Sequence, residues 1–256
     1  GSGQGWERPI AAACGTQIWI NDRLDTDLAH GMAIKAQGMR LVTFDDYGEG
    51  AQASDLNLCS LASVNADRIP GRRVLTGEEW LVLQPNLARY RRQRTACTRL
   101  LVTMGGSDTY GVTLRIVRLL LQAGRAATVI TGPLFAYGGE LQSLINGTNI
   151  VWHSDVPDLG VHFYYSDLAI TGGGITAFEA AATGLPLIVV ANEQHEIPTA
   201  VRLADLGCAR FAGYHEEMDE AAVFVVPENL VAMSAAGMSR IPLDGVQRVC
   251  NEILNG

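Results

Sequence analysis

Asp167-Leu-Ala-Ile-Thr-Gly-Gly-Gly-Ile-Thr-Ala-Phe-Glu179-Ala-Ala-Ala-Thr-Gly184-Leu-Pro186, followed by Leu-Ile-Val-Val-Ala-Asn192-Glu193-Gln194, reads as strand, glycine turn, helix, tight turn, strand and polar loop. The apolar run 168–170 suits a strand buried on both faces. Gly172, Gly173 and Gly174 let the backbone approach a ligand with no Cβ in the way. Residues 176–183 are helical in composition. The free N–H groups at the head of that helix favour an anion, phosphate above all. Glu179 lies one turn into the helix, where a carboxylate can accept two hydrogen bonds from a diol. Phosphate-binding amides beside a diol-binding Glu suit a nucleoside diphosphate with its ribose. Gly184 and Pro186 read as helix stop and strand start.

Outward from this stretch, the second half repeats the same unit. Strands are expected at 99–104, 127–130, 149–152, 168–170 and 187–190, and helices at 112–121 and 159–165. Alternation of this kind argues for a parallel sheet with helices on both faces. Ligands of such sheets bind beyond the carboxyl ends of the strands. The turns at Gly105-Gly106-Ser107-Asp108, Gly132 and Gly172 to Gly174 all follow strands, so they share one edge. The first half is less complete. It offers strands at 17–20, 41–44, 56–59 and 80–83, and a helix at 25–37 with Asp25, Thr26 and Asp27 as capping candidates. It reads as the later part of a doubly wound domain, joined to the second through residues 85–96. The expected division is 1–96, a partial Rossmann-like domain with linker, and 97–256, a nucleotide-binding Rossmann-like domain. A helix at 243–254 is expected to pack back across the junction.

The chain has 256 residues, 48% of them apolar, and a net charge of −8. That is enough for two modest cores. No apolar run reaches the roughly 18–20 residues of a membrane span. The start carries no secretory signal pattern, and a cytoplasmic protein is expected. All of the excess negative charge falls in residues 97–256, which makes a nucleic-acid partner unfavourable. Lys35 is the sole lysine, so phosphate binding must rest on amides, hydroxyls and arginines. The cluster Arg89, Arg91, Arg92, Arg94 and Arg99 reads as a solvated linker or as a phosphate or partner contact. The five cysteines lack CxxC spacing and read as small buried hydrophobes of a reducing compartment. No His, Cys or carboxylate spacing points to a metal, and no cofactor is expected.

Several segments together resemble the UDP-sugar hydrolases of spore-coat polysaccharide and pseudaminic-acid biosynthesis. These share the GT-B glycosyltransferase architecture of two Rossmann-like domains. The segments are Asn21-Asp22-Arg23-Leu24-Asp25-Thr26, Phe44-Asp45-Asp46-Tyr47-Gly48 and Ala53-Ser54-Asp55-Leu56. They continue with Leu75-Thr76-Gly77-Glu78-Glu79-Trp80-Leu81-Val82-Leu83 (Trp80 where the family has Tyr), Val102-Thr103-Met104-Gly105-Gly106-Ser107-Asp108 and the opening stretch. The likeness covers roughly residues 17–210 and implies a GT-B-like α/β fold whose first domain is truncated. The family opens with a strand and a Gly-x-Gly-His loop whose His activates water. Gly1-Ser-Gly-Gln-Gly lacks that His, so upstream sequence or a fusion partner is expected, or the chemistry is lost or moved.

The resemblance implies a UDP-sugar between the two domains. Gly173, Gly174, Ile175 and Thr176 would hold the diphosphate and Glu179 the ribose. Val156 would approach the base, and Asn192, Glu193 and Gln194 would face the sugar or the β-phosphate. Gly105, Gly106, Ser107, Asp108 and Gly132 would close the same edge. His195 is the surviving acid or base candidate; Asp45 and Asp46 either cap or accept from substrate hydroxyls. The expected reaction is hydrolysis of the anomeric C–O bond of a nucleotide sugar. A GT-B glycosyltransferase and a non-catalytic nucleotide-sugar-binding module are the alternatives.

Overall fold

The computed structural model describes residues 15–61 and 66–255. Cys14 and the reading of Gly1 to Gly5 lie outside the described residues. The chain forms two compact units, Gly1–Val82 with Asp244–Gly256, and Leu83–Leu243.

The first unit holds a parallel sheet of β1 (Ile18–Asp22), β2 (Arg40–Phe44), β3 (Leu56–Cys59) and β4 (Val74–Thr76), in that spatial order. Helix α1 (Leu28–Lys35) crosses from β1 to β2, and the carboxylate of Asp27 caps it by accepting from the N–H groups of Ala29 and His30. Successive residues of β2 point to opposite faces. Leu41 packs with Ile34 and Met39, on the side of α1. Val42 packs with Leu56, Leu58 and Val249. Val249 belongs to the terminal helix (Gly245–Asn255), so the chain's end covers the second face of this sheet. Arg40 ties that helix down by donating to the carbonyls of Glu252 and Ile253 at 3.0 and 2.6 Å.

The strand expected at 80–83 does not form. Residues 78–80 make a 3-10 turn, and the fourth strand is Val74–Thr76. Trp80 packs on the Val42 cluster, and Leu81 and Leu83 are buried. The apolar run therefore reflects burial of an irregular segment.

The second unit holds six parallel strands: β5 (Leu100–Thr103), β6 (Ala127–Thr131), β7 (Ile150–Ser154), β8 (Leu168–Thr171), β9 (Leu187–Ala191) and β10 (Ala209–Tyr214). Their spatial order is β10-β9-β8-β5-β6-β7. The three central strands, β5, β8 and β9, are buried throughout, as their unbroken apolar sequences require. Between them run α2 (Val112–Gln122), α3 (Gly138–Ile145), α4 (Leu159–Tyr165), α5 (Ile175–Ala182) and α6 (Ile197–Asp205), with α7 (Glu220–Phe224) and α8 (Leu230–Arg240) after β10. The terminal helix of the first unit is α9.

The boundary falls at Leu83 and not at 97, and the arginine cluster explains why. Arg91 donates to the carbonyl of Ala182 at 2.9 Å, and Arg92 to those of Tyr164 and Ser166 and to the carboxylate of Asp167. Arg94 is fully buried and donates to the carbonyls of Phe163, Ser166, Thr183 and Arg92. Phe163 and Thr183 close α4 and α5, so the guanidinium meets the negative ends of two helix dipoles. Burial, with help from Arg92, pushes its pKa down to about 9, which leaves it charged at neutral pH. Burial works against the Asp167 carboxylate, but hydrogen bonds from Arg92, Arg99 and Thr98 outweigh it and hold the pKa well below the usual carboxylate range. Arg91, Arg92 and Arg94 thus fasten the segment to the body of the second unit, and Arg89 adds a pair with Asp158 of the same unit at 2.8 Å. The expectation of a solvated linker is corrected by these bonds.

Candidate functional site

The order of the second sheet marks the candidate site. From β5 the chain winds outward through β6 and β7, then returns to lay β8 against the other side of β5. The strand order therefore reverses between β5 and β8, the place where open parallel sheets bind ligands. The turns after these two strands are Gly105 to Asp108 and Gly172 to Gly174. The loops after β6, β7 and β9 bring Gly132, Val156 and Asn192 to Gln194 to the same edge.

Gly174 is the N-cap of α5 and offers no side chain to its first amides. Ile175 is 40% exposed, so the head of this helix is open to solvent. Glu179 is half-buried one turn on, and no hydrogen bond reaches its carboxylate among the described residues. Burial alone raises its pKa above the ordinary glutamate value. A half-buried carboxylate with no donor is costly unless a ligand supplies one. Two more polar atoms lack partners at this edge. They are the Thr171 hydroxyl at the end of β8 and the Asn192 Oδ1 just past β9, both buried.

The turn after β5 is of two parts. Gly105 has φ +86°, and neither it nor Gly106 has any atom within 4 Å of where a Cβ would sit. That side of the turn is open. Ser107 is exposed, with its hydroxyl 3.5 Å from that of Thr109. Asp108 turns inward: it is 2% exposed, and its two oxygens accept from the N–H groups of Val112 and Thr113, each at 2.8 Å. Its place is that of a cap on α2. A Cβ on Gly132 would collide with the Gly106 backbone, so Gly132 lets the two loops pack directly. Both residues shape the edge without facing its open side.

Val156 is half-buried and follows Asp155, whose φ is +49°. Glu193 is half-buried and lies 3.5 Å from the Tyr110 hydroxyl, while Gln194 and His195 are exposed in a 3-10 turn. Sequence reasoning missed Glu196. Its Oε2 accepts from the N–H groups of Gly173 and Asn192, at 3.1 and 2.7 Å. A Cβ on Gly173 would lie 2.7 Å from the Glu196 carbonyl oxygen, so only glycine permits this approach. Nothing in the sequence distinguishes this glutamate from its polar neighbours.

Asp45 and Asp46 belong to the first unit, after β2. Asp46 is fully buried. Its Oδ1 accepts from the N–H groups of Thr26 and Gly48, and its carbonyl from Asn57. It ties its own loop to the segment before α1 and to β3. Asp45, at φ +44°, accepts from the Leu61 N–H at 3.2 Å. Burial, with Asp22 adding to it against the Leu61 hydrogen bond, raises its pKa to about 6. The Cys59 thiol beside it is pushed up to about 12, first by burial and then by Asp45. Among the described residues no group of three or more His, Cys, Asp or Glu side chains could hold a metal ion. No helix among them is long and apolar enough to cross a membrane.

No protein-family model matches the chain. An uncharacterized protein of Methanocaldococcus jannaschii is 29% identical over 127 residues, covering 47% of this chain and 26% of that protein. The spore coat polysaccharide biosynthesis protein SpsG of Bacillus subtilis is 24% identical over 216 residues, covering 80% and 62%. The chain thus spans about a quarter and 62% of the curated relatives it matches. Among solved structures, MurG of Acinetobacter baumannii superposes with a TM-score of 0.68 at 14% identity, over 97% of this chain and 76% of that one. MnaA of S. aureus, in a co-structure with UDP, gives 0.67 at 13% identity, over 96% and 77%. The spinosyn rhamnosyltransferase SpnG gives 0.64 at 18% identity, over 98% and 76%. The fold is that of the GT-B enzymes, with two Rossmann-like parallel α/β units. The homology to SpsG is weak, and the hydrolase family expected from the motifs is not singled out.

Proposed function

We propose that this protein binds a nucleotide sugar, with UDP as the nucleotide, and transfers its glycosyl group to an acceptor. One observation carries the reading. The uncapped head of α5 lies beside the strand-order reversal, with the unpartnered Glu179 carboxylate one turn away. The amides of Gly174, Ile175 and Thr176 hold the diphosphate, and the open side of Gly105 to Ser107 forms its other wall. Glu179 accepts from the ribose diol. Val156 lies towards the base, and Asn192, Glu193 and Gln194 towards the sugar.

In this reading the anomeric C–O bond breaks and its electron pair leaves with the diphosphate. The acceptor oxygen attacks the anomeric carbon and loses its proton to a base. Amides aimed at the departing oxygens stabilise the charge as it develops. His195, in the loop after β9, is the candidate proton carrier. SpnG, by its name a transferase of rhamnose, and the UDP held by MnaA support transfer from a nucleotide sugar. Hydrolysis, with water as the acceptor, is the second reading, favoured by the likeness of Phe44 to Gly48 and Val102 to Asp108 to UDP-sugar hydrolases.

Calorimetric titration with UDP tests the binding, and no heat at millimolar ligand would sink both readings. Incubation with a UDP-N-acetylhexosamine, followed by the anomeric proton resonance, tests the reaction. Turnover only with an added sugar acceptor fits transfer, and release of free sugar without one fits hydrolysis.

A further inference from the structure

The Glu196 carboxylate stands beside the turn that leads into α5. Its Oε2 is fixed by the two backbone N–H groups of Gly173 and Asn192, and its Oε1 lies 3.5 Å from where a Cβ on Gly174 would sit. Its own N–H is held by the Glu193 carbonyl at 3.0 Å, and Gly173 packs against its backbone. No ion pair with Lys, Arg or His is formed by this carboxylate among the described residues. An uncompensated negative charge is therefore anchored next to the amides of Gly174, Ile175 and Thr176.

We propose that Glu196 sets the charge selectivity of the nucleotide site, disfavouring a free nucleoside diphosphate relative to the nucleotide sugar that yields it. The proposal rests on the nucleotide-sugar reading above. A free nucleoside diphosphate carries about three negative charges above pH 7, because its terminal phosphate ionises twice. In the nucleotide sugar the terminal phosphate is esterified, and the total is about two. Repulsion from a fixed carboxylate grows with the ligand's charge and weighs more near a low-dielectric surface than in water. Glu196 holds its place when ligand binds, because its two donors are not the amides offered to the phosphates. The consequence is functional. The carboxylate weakens the hold on the diphosphate left behind after transfer more than the hold on the substrate it came from, which speeds release of the product.

Calorimetry at pH 8 and low salt tests this, with UDP and a UDP-N-acetylhexosamine as ligands and the wild type, Glu196→Gln and Glu196→Ala as proteins. Glu196→Gln keeps an oxygen for the two amides and loses the charge. It should tighten UDP about tenfold and the UDP-sugar about threefold, with both gains shrinking at high salt. Glu196→Ala should shift the ratio of the two affinities in the same direction, which separates charge from hydrogen bonding. Equal tightening of both ligands, no change, or weaker UDP binding in Glu196→Gln would overturn the proposal while leaving the site itself standing. Failure of the wild type to bind either ligand would remove the nucleotide-sugar reading and this proposal with it.

Discussion

Replacing Asp45 by Asn should stabilise the protein at neutral pH and leave it unchanged in acid. The Asp45 carboxyl is raised from 3.8 to about 6, chiefly by burial. A shift of that size corresponds to about 3 kcal/mol, and to about 1–3 kcal/mol once residual solvent screening is allowed for. The sign follows from proton binding. Below about pH 3 the group is protonated in both the folded and unfolded states, so it costs nothing. As pH rises from about 3 to 6 the unfolded chain gives up its proton first, and stability falls. Above pH 7 the full loss applies. Asparagine never ionises, can still accept from the Leu61 N–H, and tolerates the left-handed backbone at φ +44°. Urea unfolding of wild type and Asp45→Asn, followed by tryptophan fluorescence at pH 4 and pH 7.5, measures the difference. The variant's advantage should be at most about 0.5 kcal/mol at pH 4 and should reach about 1–3 kcal/mol at pH 7.5. An equal gain at both pH values would assign the effect to the backbone, and a less stable variant at pH 7.5 would refute the reasoning.

Glu179→Gln should weaken UDP binding by about 1.5–3 kcal/mol, the worth of hydrogen bonds to a charged acceptor, and should weaken 2′-deoxy-UDP less, because that ligand keeps one hydroxyl of the two. Calorimetry with both ligands checks this, and equal losses would remove Glu179 from the ribose. Arg94→Met should cost about 3–5 kcal/mol, because it leaves the carbonyls that close α4 and α5 without their buried donor. Thermal unfolding gives the value, and a loss under 1 kcal/mol would contradict the clamp. Gly237→Ala should destabilise by about 1–3 kcal/mol, because the new Cβ would strike the Ala181 carbonyl oxygen where α8 crosses α5. Urea unfolding measures it, and a neutral result would place the two helices further apart.

The sequence made the second sheet legible where burial is complete. The apolar runs of β5, β8 and β9 lie within two residues of their expected bounds, since a strand covered on both faces needs no alternation. The edge strand β10 was not legible. It is partly exposed and mixes Arg210 and Gly213 with apolar residues, so it carries neither a continuous run nor a clean alternation. In the first unit, β4 is only three residues long and is outweighed by the nearby Trp80 to Leu83, whose apolar character serves packing. The arginine segment was unreadable for another reason. Its partners are backbone carbonyls at helix ends, which leave no mark in the amino-acid string. The glycine turn and Glu179 could be read because backbone access and a lone helical carboxylate are local features. Glu196 could not, because its partners Gly173 and Asn192 are set by the pairing of β8 with β9.

In the proposed reading a nucleoside diphosphate binds at the carboxyl edge of the second sheet through the first amides of α5. Titration of 15N-labelled protein with UDP, followed by amide chemical shifts, tests it most directly. Saturable shifts are expected at Gly174, Ile175 and Thr176, with accompanying shifts at Gly105 to Ser107. Saturable binding that leaves these amides unmoved, or no shifts at millimolar UDP, would contradict it.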